Sequence, residues 1–199
     1  MASTDAACIG TNRKKSTAWE GGMMGASPET TAFLKECLAD AFIELLNEKP
    51  AAKITVTEIA QRAGVGRTTY FRNFASKEDM LTFKLTRLWE KWAEDHKLAE
   101  RYNFSLDNAL TFFEFNLSIR PLLELIYKHG LQTSIYNAFY ETMYRPQTAD
   151  PLDVYRMRFY SYGIYGVLDE WIVRGFKETP AQMAKMAERR RPSETHSSD

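Results

Sequence analysis

Residues 54–81 read ITVTEIAQRAGVGRTTYFRNFASKEDML, a stretch dense in helix-start and helix-stop signals. Thr55 and Glu58 are spaced as a capping box, in which each side chain satisfies the other residue's backbone N–H, and Ile54 and Ile59 are spaced as a hydrophobic staple across the same helix start. A helix is therefore predicted from Val56. Gly64 falls where a left-handed C-terminal cap is needed, so that helix is only about two turns long. A second short helix follows from Arg67, and Ser76 with Asp79 marks a third start. Ala60 permits close approach of the second helix, while Val65, Tyr70 and Phe74 can fill the angle between the two. This is a helix-turn-helix, whose outer helix has the width of a major groove.

Working outward, Ser27 and Pro28 are suited to the cap and first position of a helix. Phe33, Leu34, Cys37, Leu38, Ala41, Phe42, Leu45 and Leu46 continue it as one apolar stripe, closed by Pro50. On the other side Leu81, Leu85, Leu88, Trp89 and Trp92 predict a long helix to about Lys97. Further helices are predicted at about 105–117, 121–129, 131–145, 151–174 and 180–190, punctuated by Pro121, Gly130, Pro146, Pro151, Gly175 and Pro180. With no strand-like alternation anywhere, the fold class is all-α. The organisation expected is a disordered segment 1–26, a helix-turn-helix unit 27–75, a helical ligand-binding and dimerisation unit 76–191, and a disordered tail 192–199.

Lys plus Arg and Asp plus Glu both number 26, so the chain carries no general basic field. The charge is local instead. From Ile59 to Lys77 the charged residues are Arg62, Arg67, Arg72 and Lys77, a +4 stretch that would attract phosphates. Arg13, Lys14 and Lys15 form a second basic cluster in the polar leader, read as a solvated tail or as an arm for a minor groove.

Residues 29–81 resemble the DNA-binding signature of the TetR family of bacterial transcriptional regulators almost position for position. The resemblance implies that Arg67, Thr68 and Thr69 face bases of double-stranded DNA. It places Thr55, Arg72, Asn73 and Lys77 against phosphates or neighbouring base edges, with Phe71 on the same surface. Chemistry agrees: Arg67 can fork onto a guanine, and the threonines offer a hydroxyl and a methyl group. Two residues depart from the family pattern. Tyr70 precedes Phe71 where many members have the reverse, which displaces a phosphate-binding hydroxyl, and Gly66 stands where a capping serine is frequent.

Of 26 aromatic residues, 20 lie between Phe83 and Phe176. Apolar cavities carrying a few polar groups are the usual small-molecule sites, and the resemblance implies an effector cavity here. Trp89, Phe112, Phe113, Tyr127, Tyr136, Tyr140 and Tyr162 are the candidate lining. The segment 152–171 is apolar on most sides and is expected to be buried on most sides. Gly163 and Gly166 permit close helix approach, and with Phe159 and Trp171 they are the candidates for a two-fold homodimer interface like that of one TetR subgroup.

The function expected is therefore a ligand-responsive repressor acting as a homodimer on a palindromic operator. The alternative is a regulator whose second half binds a partner protein. An enzyme lacks its parts: His96, His129 and His196 are scattered, and no zinc-helix motif or phosphate-binding glycine loop is present. No cofactor or metal is expected. Two cysteines, Cys8 and Cys37, write no disulfide framework, and no run reaches the roughly 18 apolar residues of a membrane span. A soluble, cytoplasmic protein is the expectation.

Overall fold

A computed structural model describes residues 27–98, 108–143 and 151–188, and within them the chain is all-α. The segments expected to be disordered, including the Arg13–Lys15 cluster, lie outside the described residues. Helix α1 (Pro28–Glu48) starts where the Ser27 side chain accepts from the Thr30 N–H at 3.2 Å. It ends at Lys49, which is extended because the residue before a proline is disfavoured in the helical region. Its buried face runs from Cys37 to Leu46, whereas Phe33, predicted as part of the stripe, is 59% exposed.

A short 3-10 turn, Ala51–Lys53, leads to α2 (Val56–Arg62). Both halves of the Thr55–Glu58 capping box are made, and both staple residues, Ile54 and Ile59, are buried. At the far end Gly64, with φ of +68°, donates to Gln61 O while Val65 N donates to Ala60 O. This is the Schellman arrangement, which satisfies two of the carbonyls a helix end leaves over and turns the chain towards the next helix. Helix α3 (Arg67–Asn73) follows, with Gly66 at its N-cap giving no side-chain bond. Tyr70 and Phe74 of α3 and Phe83 of the following helix pack ring against ring, at 6.3 and 5.9 Å between successive centroids.

Helix α4 (Lys77–Asp95), capped by Ser76 and Asp79, belongs to both halves of the molecule. Its Met80, Leu81, Leu85, Trp89 and Ala93 are buried, and it packs on α1 at one end and on α7 along its length. The second half comprises α5 (Ala109–Ser118), α6 (Arg120–Lys128), α7 (Thr133–Met143), α8 (Pro151–Val173) and α9 (Pro180–Glu188). Trp171 sits at the centre of the α5, α8 and α9 junction. Its ring meets Phe113 at 5.4 Å and Phe176 at 4.8 Å, and its Nε1–H donates to Glu178 O at 3.0 Å.

Two expectations are corrected here. Trp171 is 1% exposed and belongs to the core of its own chain, so it is not available to a dimer interface. Helix α8 as a whole is far from buried: Leu152, Tyr155, Phe159, Tyr160, Tyr162 and Val173 are all exposed. Among the described residues, the fully buried positions of α8 are Ser161, Leu168, Trp171 and Ile172.

Candidate nucleic-acid interface

The outward side of α3 carries Arg67, Thr68, Phe71 and Arg72, all exposed, while Thr69 and Asn73 are half-buried along its edge. Tyr70 and Phe74, pointing the other way, hold the helix on the core. The helical period alone produces this division. Phe71 is 62% exposed, and the Arg67 guanidinium lies 5.9 Å from its ring centroid. The ring is a platform that steadies a long cationic side chain one turn away. Asn73 donates from its side-chain amide to Thr69 O at 2.7 Å, which ties it to the backbone of α3.

The local charge is smaller than the composition of the stretch suggests. Arg62 forks onto Glu48 at 2.8 and 3.1 Å and reaches Glu44 at 3.3 Å, and its basicity is raised by Glu48 first and Glu44 second. Its charge is answered from α1. Arg67 and Arg72 have no ion pair among the described residues, so the face offers phosphates two unanswered guanidinium groups.

Two further residues have internal partners. The Thr55 hydroxyl accepts from Glu58 N and donates to the Glu58 carboxylate; Lys49 bonds the same carboxylate, and these partners, Lys49 foremost, hold its pKa down at about 2. Lys77, assigned to a phosphate by resemblance, instead turns inward and donates to Ala51 O at 2.8 Å and to Ile54 O at 3.2 Å. It ties the start of α4 to the turn beneath α2, an engagement across more than twenty residues that no local pattern announces. Lys77→Met is therefore expected to lower folding stability by about 1.5–3 kcal/mol, the range for hydrogen bonds from a charged donor. Urea unfolding checks this. Unchanged stability with a shallower salt dependence of DNA binding would restore Lys77 to the phosphates.

Residues 38–82 match the family model of bacterial regulatory proteins of the tetR family, and residues 112–190 match that of a transcriptional regulator C-terminal region. The chain belongs to the TetR family of transcriptional regulators. The TetR helix-turn-helix is accordingly a DNA-binding element, and the protein is a regulator of transcription and not an enzyme. Among solved structures, a TetR transcriptional regulator from Rhodococcus sp. RHA1 is similar, with 19% identity, 81% of this chain and 94% of that chain covered, and a TM-score of 0.47. No curated protein matches the chain.

In the second half of this TetR regulator the seven aromatic candidates do not converge on one cavity. Trp89 and Phe112, with Leu85, Asn116, Leu123 and Phe139 among others, line a cavity of about 30 Å³ at the meeting of α4 to α8. That is space for about one water molecule. Phe113 belongs to the Trp171 cluster, and Tyr127 donates to the Asp169 carboxylate, with burial foremost and Asp169 next raising its pKa. Tyr136, Tyr140 and Tyr162 form a separate stack between α7 and α8, with the Tyr136 and Tyr162 centroids 4.3 Å apart. Arg158, which sequence reasoning missed, completes this stack. It lies 3.6 Å over the Tyr140 ring and donates to the Tyr136 hydroxyl at 2.9 Å. Its one local signal is the four-residue step to Tyr162. Among the described residues no cluster of His, Cys, Asp or Glu is placed to hold a metal ion, and no helix is long and apolar enough to cross a membrane.

Proposed function

We propose that this TetR regulator is a repressor that binds a palindromic operator as a homodimer in the cytoplasm and releases it when an effector enters the second half. The observation that carries the reading is the uncovered apolar face of α8. Phe159 is 77% exposed, Gly163 and Gly166 have open space where a Cβ would stand, and a groove of about 490 Å³ beside them is lined by Val167, Met183 and Met186. A surface of this kind is suited to the same helix of a second copy across a two-fold axis. Two α3 helices would then enter successive major grooves about 34 Å apart.

A route from effector to DNA is supported by a chain of contacts. The central cavity is lined by Ile119 and Leu123 at the start of α6. Just past the end of α6, His129 Nδ1 accepts the Ala51 N–H at 3.3 Å, and Ala51 O is the acceptor of Lys77. An effector larger than one water must push these helices apart, and a shift of α6 pulls on the turn that carries α2. Only a difference in effector affinity between the two arrangements can drive release. The tightness of the cavity also favours a second reading, in which the second half answers to a partner protein through the α8 face.

Selection of bound fragments from random duplex DNA tests the proposal. A palindrome with half-sites one helical turn apart supports it, and no enrichment at low salt sinks it. Release by small molecules, as against release only on addition of a protein, separates the two readings. Within the selected site, Arg67→Ala is expected to cost about 1–3 kcal/mol at one base pair and to relax specificity there. A loss spread evenly over all sequences would remove Arg67 from base readout.

A further inference from the structure

A cleft of about 230 Å³ opens where the helix-turn-helix unit meets the second half, away from the central aromatic cavity and from the α8 face. Four helices contribute to it: Lys35 from α1, Asn73 and Phe74 from the end of α3, Asp79, Thr82, Phe83 and Thr86 from α4, and Asn137 and Glu141 from α7. Its polar groups are incompletely used by the protein. The Thr86 Oγ1 is buried and has no hydrogen-bond partner among the described residues. Glu141 has no ion pair among the described residues, and its pKa is raised by partial burial first and by the charge of Asp79 second, with Lys35 opposing. Asp79 uses Oδ2 on the Ala75 and Ser76 N–H groups at 3.0 and 2.8 Å, and its other oxygen has no partner among the described residues.

Lys35 completes the pattern. Its ammonium rests on the Phe74 and Phe83 rings, 5.3 and 4.5 Å from their centroids, and pairs with neither carboxylate. The cleft thus holds two carboxylates and one ammonium, separated, over an aromatic floor. Glu141 is exposed and Asp79 and Lys35 are half-buried, so a ligand can reach these charges and make charge-assisted hydrogen bonds without displacing an internal ion pair.

We propose that this cleft binds a small aminocarboxylate, its ammonium group taken by Asp79 and Glu141 and its carboxylate by Lys35. Such a ligand bridges α7 to the C-terminal end of the recognition helix at Asn73, so occupancy holds the DNA-binding unit at one angle to the rest. The regulatory consequence rests on the operator binding proposed above. Binding itself does not, and it is measured without DNA.

The test is calorimetric titration of the full-length protein with the twenty standard amino acids, the straight-chain ω-amino acids up to six carbons and the corresponding amines lacking a carboxylate. At least one aminocarboxylate is expected to bind, at least tenfold more tightly than its decarboxylated amine. Glu141→Gln and Lys35→Met are each expected to weaken it tenfold or more, while thermal unfolding of Glu141→Gln stays unchanged. No binding across the panel, equal binding of the decarboxylated amine, or binding untouched by Glu141→Gln would each overturn the proposal. A confirmed ligand that left operator affinity unaltered would preserve the site and remove only its regulatory role.

Discussion

If the proposed α8 dimer forms, Phe159→Asp is expected to convert it to monomer and to lower the affinity for a two-half-site operator by about 10²–10⁴-fold, the advantage that a second linked contact confers. Phe159 is 77% exposed in the single chain, so the change removes almost no packing within the protomer. Across a two-fold axis the consequence is different. Each substituted side chain would sit near its symmetry mate, bringing two carboxylates into an apolar contact where neither has a partner. Binding to an isolated half-site should be nearly unaffected, because α3 lies in the other half of the molecule. Sedimentation together with titration on full and half operators measures both quantities. A Phe159→Asp protein that remained dimeric would move the interface off this face of α8.

Trp171→Ala is expected to destabilise the fold by about 3–5 kcal/mol, the usual cost of emptying a large aromatic site in a core. The indole's contacts with Phe113 and Phe176 disappear together, and the Glu178 carbonyl loses its donor. At this chain size the midpoint of thermal unfolding should fall by about 6–20 °C. Because these contacts hold the loop leading into α9 against α5 and α8, the groove beside Gly166 should loosen as well. The comparison with Phe159→Asp is diagnostic: one variant loses stability and the other association. A Trp171→Ala protein that melted normally but failed to dimerise would return Trp171 to the interface that its sequence pattern suggested.

The helix-turn-helix was legible in the sequence because its devices are short-range. The Thr55–Glu58 box, the Ile54–Ile59 staple and the Gly64 cap each join residues at most five apart, so residue type and spacing suffice to specify them. The same reasoning located the nine helices of the described residues to within a few positions. It misread the destination of several side chains on them. Arg62 and Lys77 count equally as cations in the local charge, yet one answers Glu48 and the other grips backbone carbonyls at Ala51 and Ile54. Phe71 and Phe74 are the same residue three positions apart, one on the groove face and one in the core.

For the second half, the sequence determined that helices would form and that their surfaces would be rich in aromatic rings. Tertiary structure alone decided which rings share a cavity, which stack around Arg158, and that α8 turns Phe159 outward and Trp171 inward. Helix starts and stops are governed by hydrogen bonds within one turn of chain, whereas the destination of a side chain depends on which distant helix comes to face it.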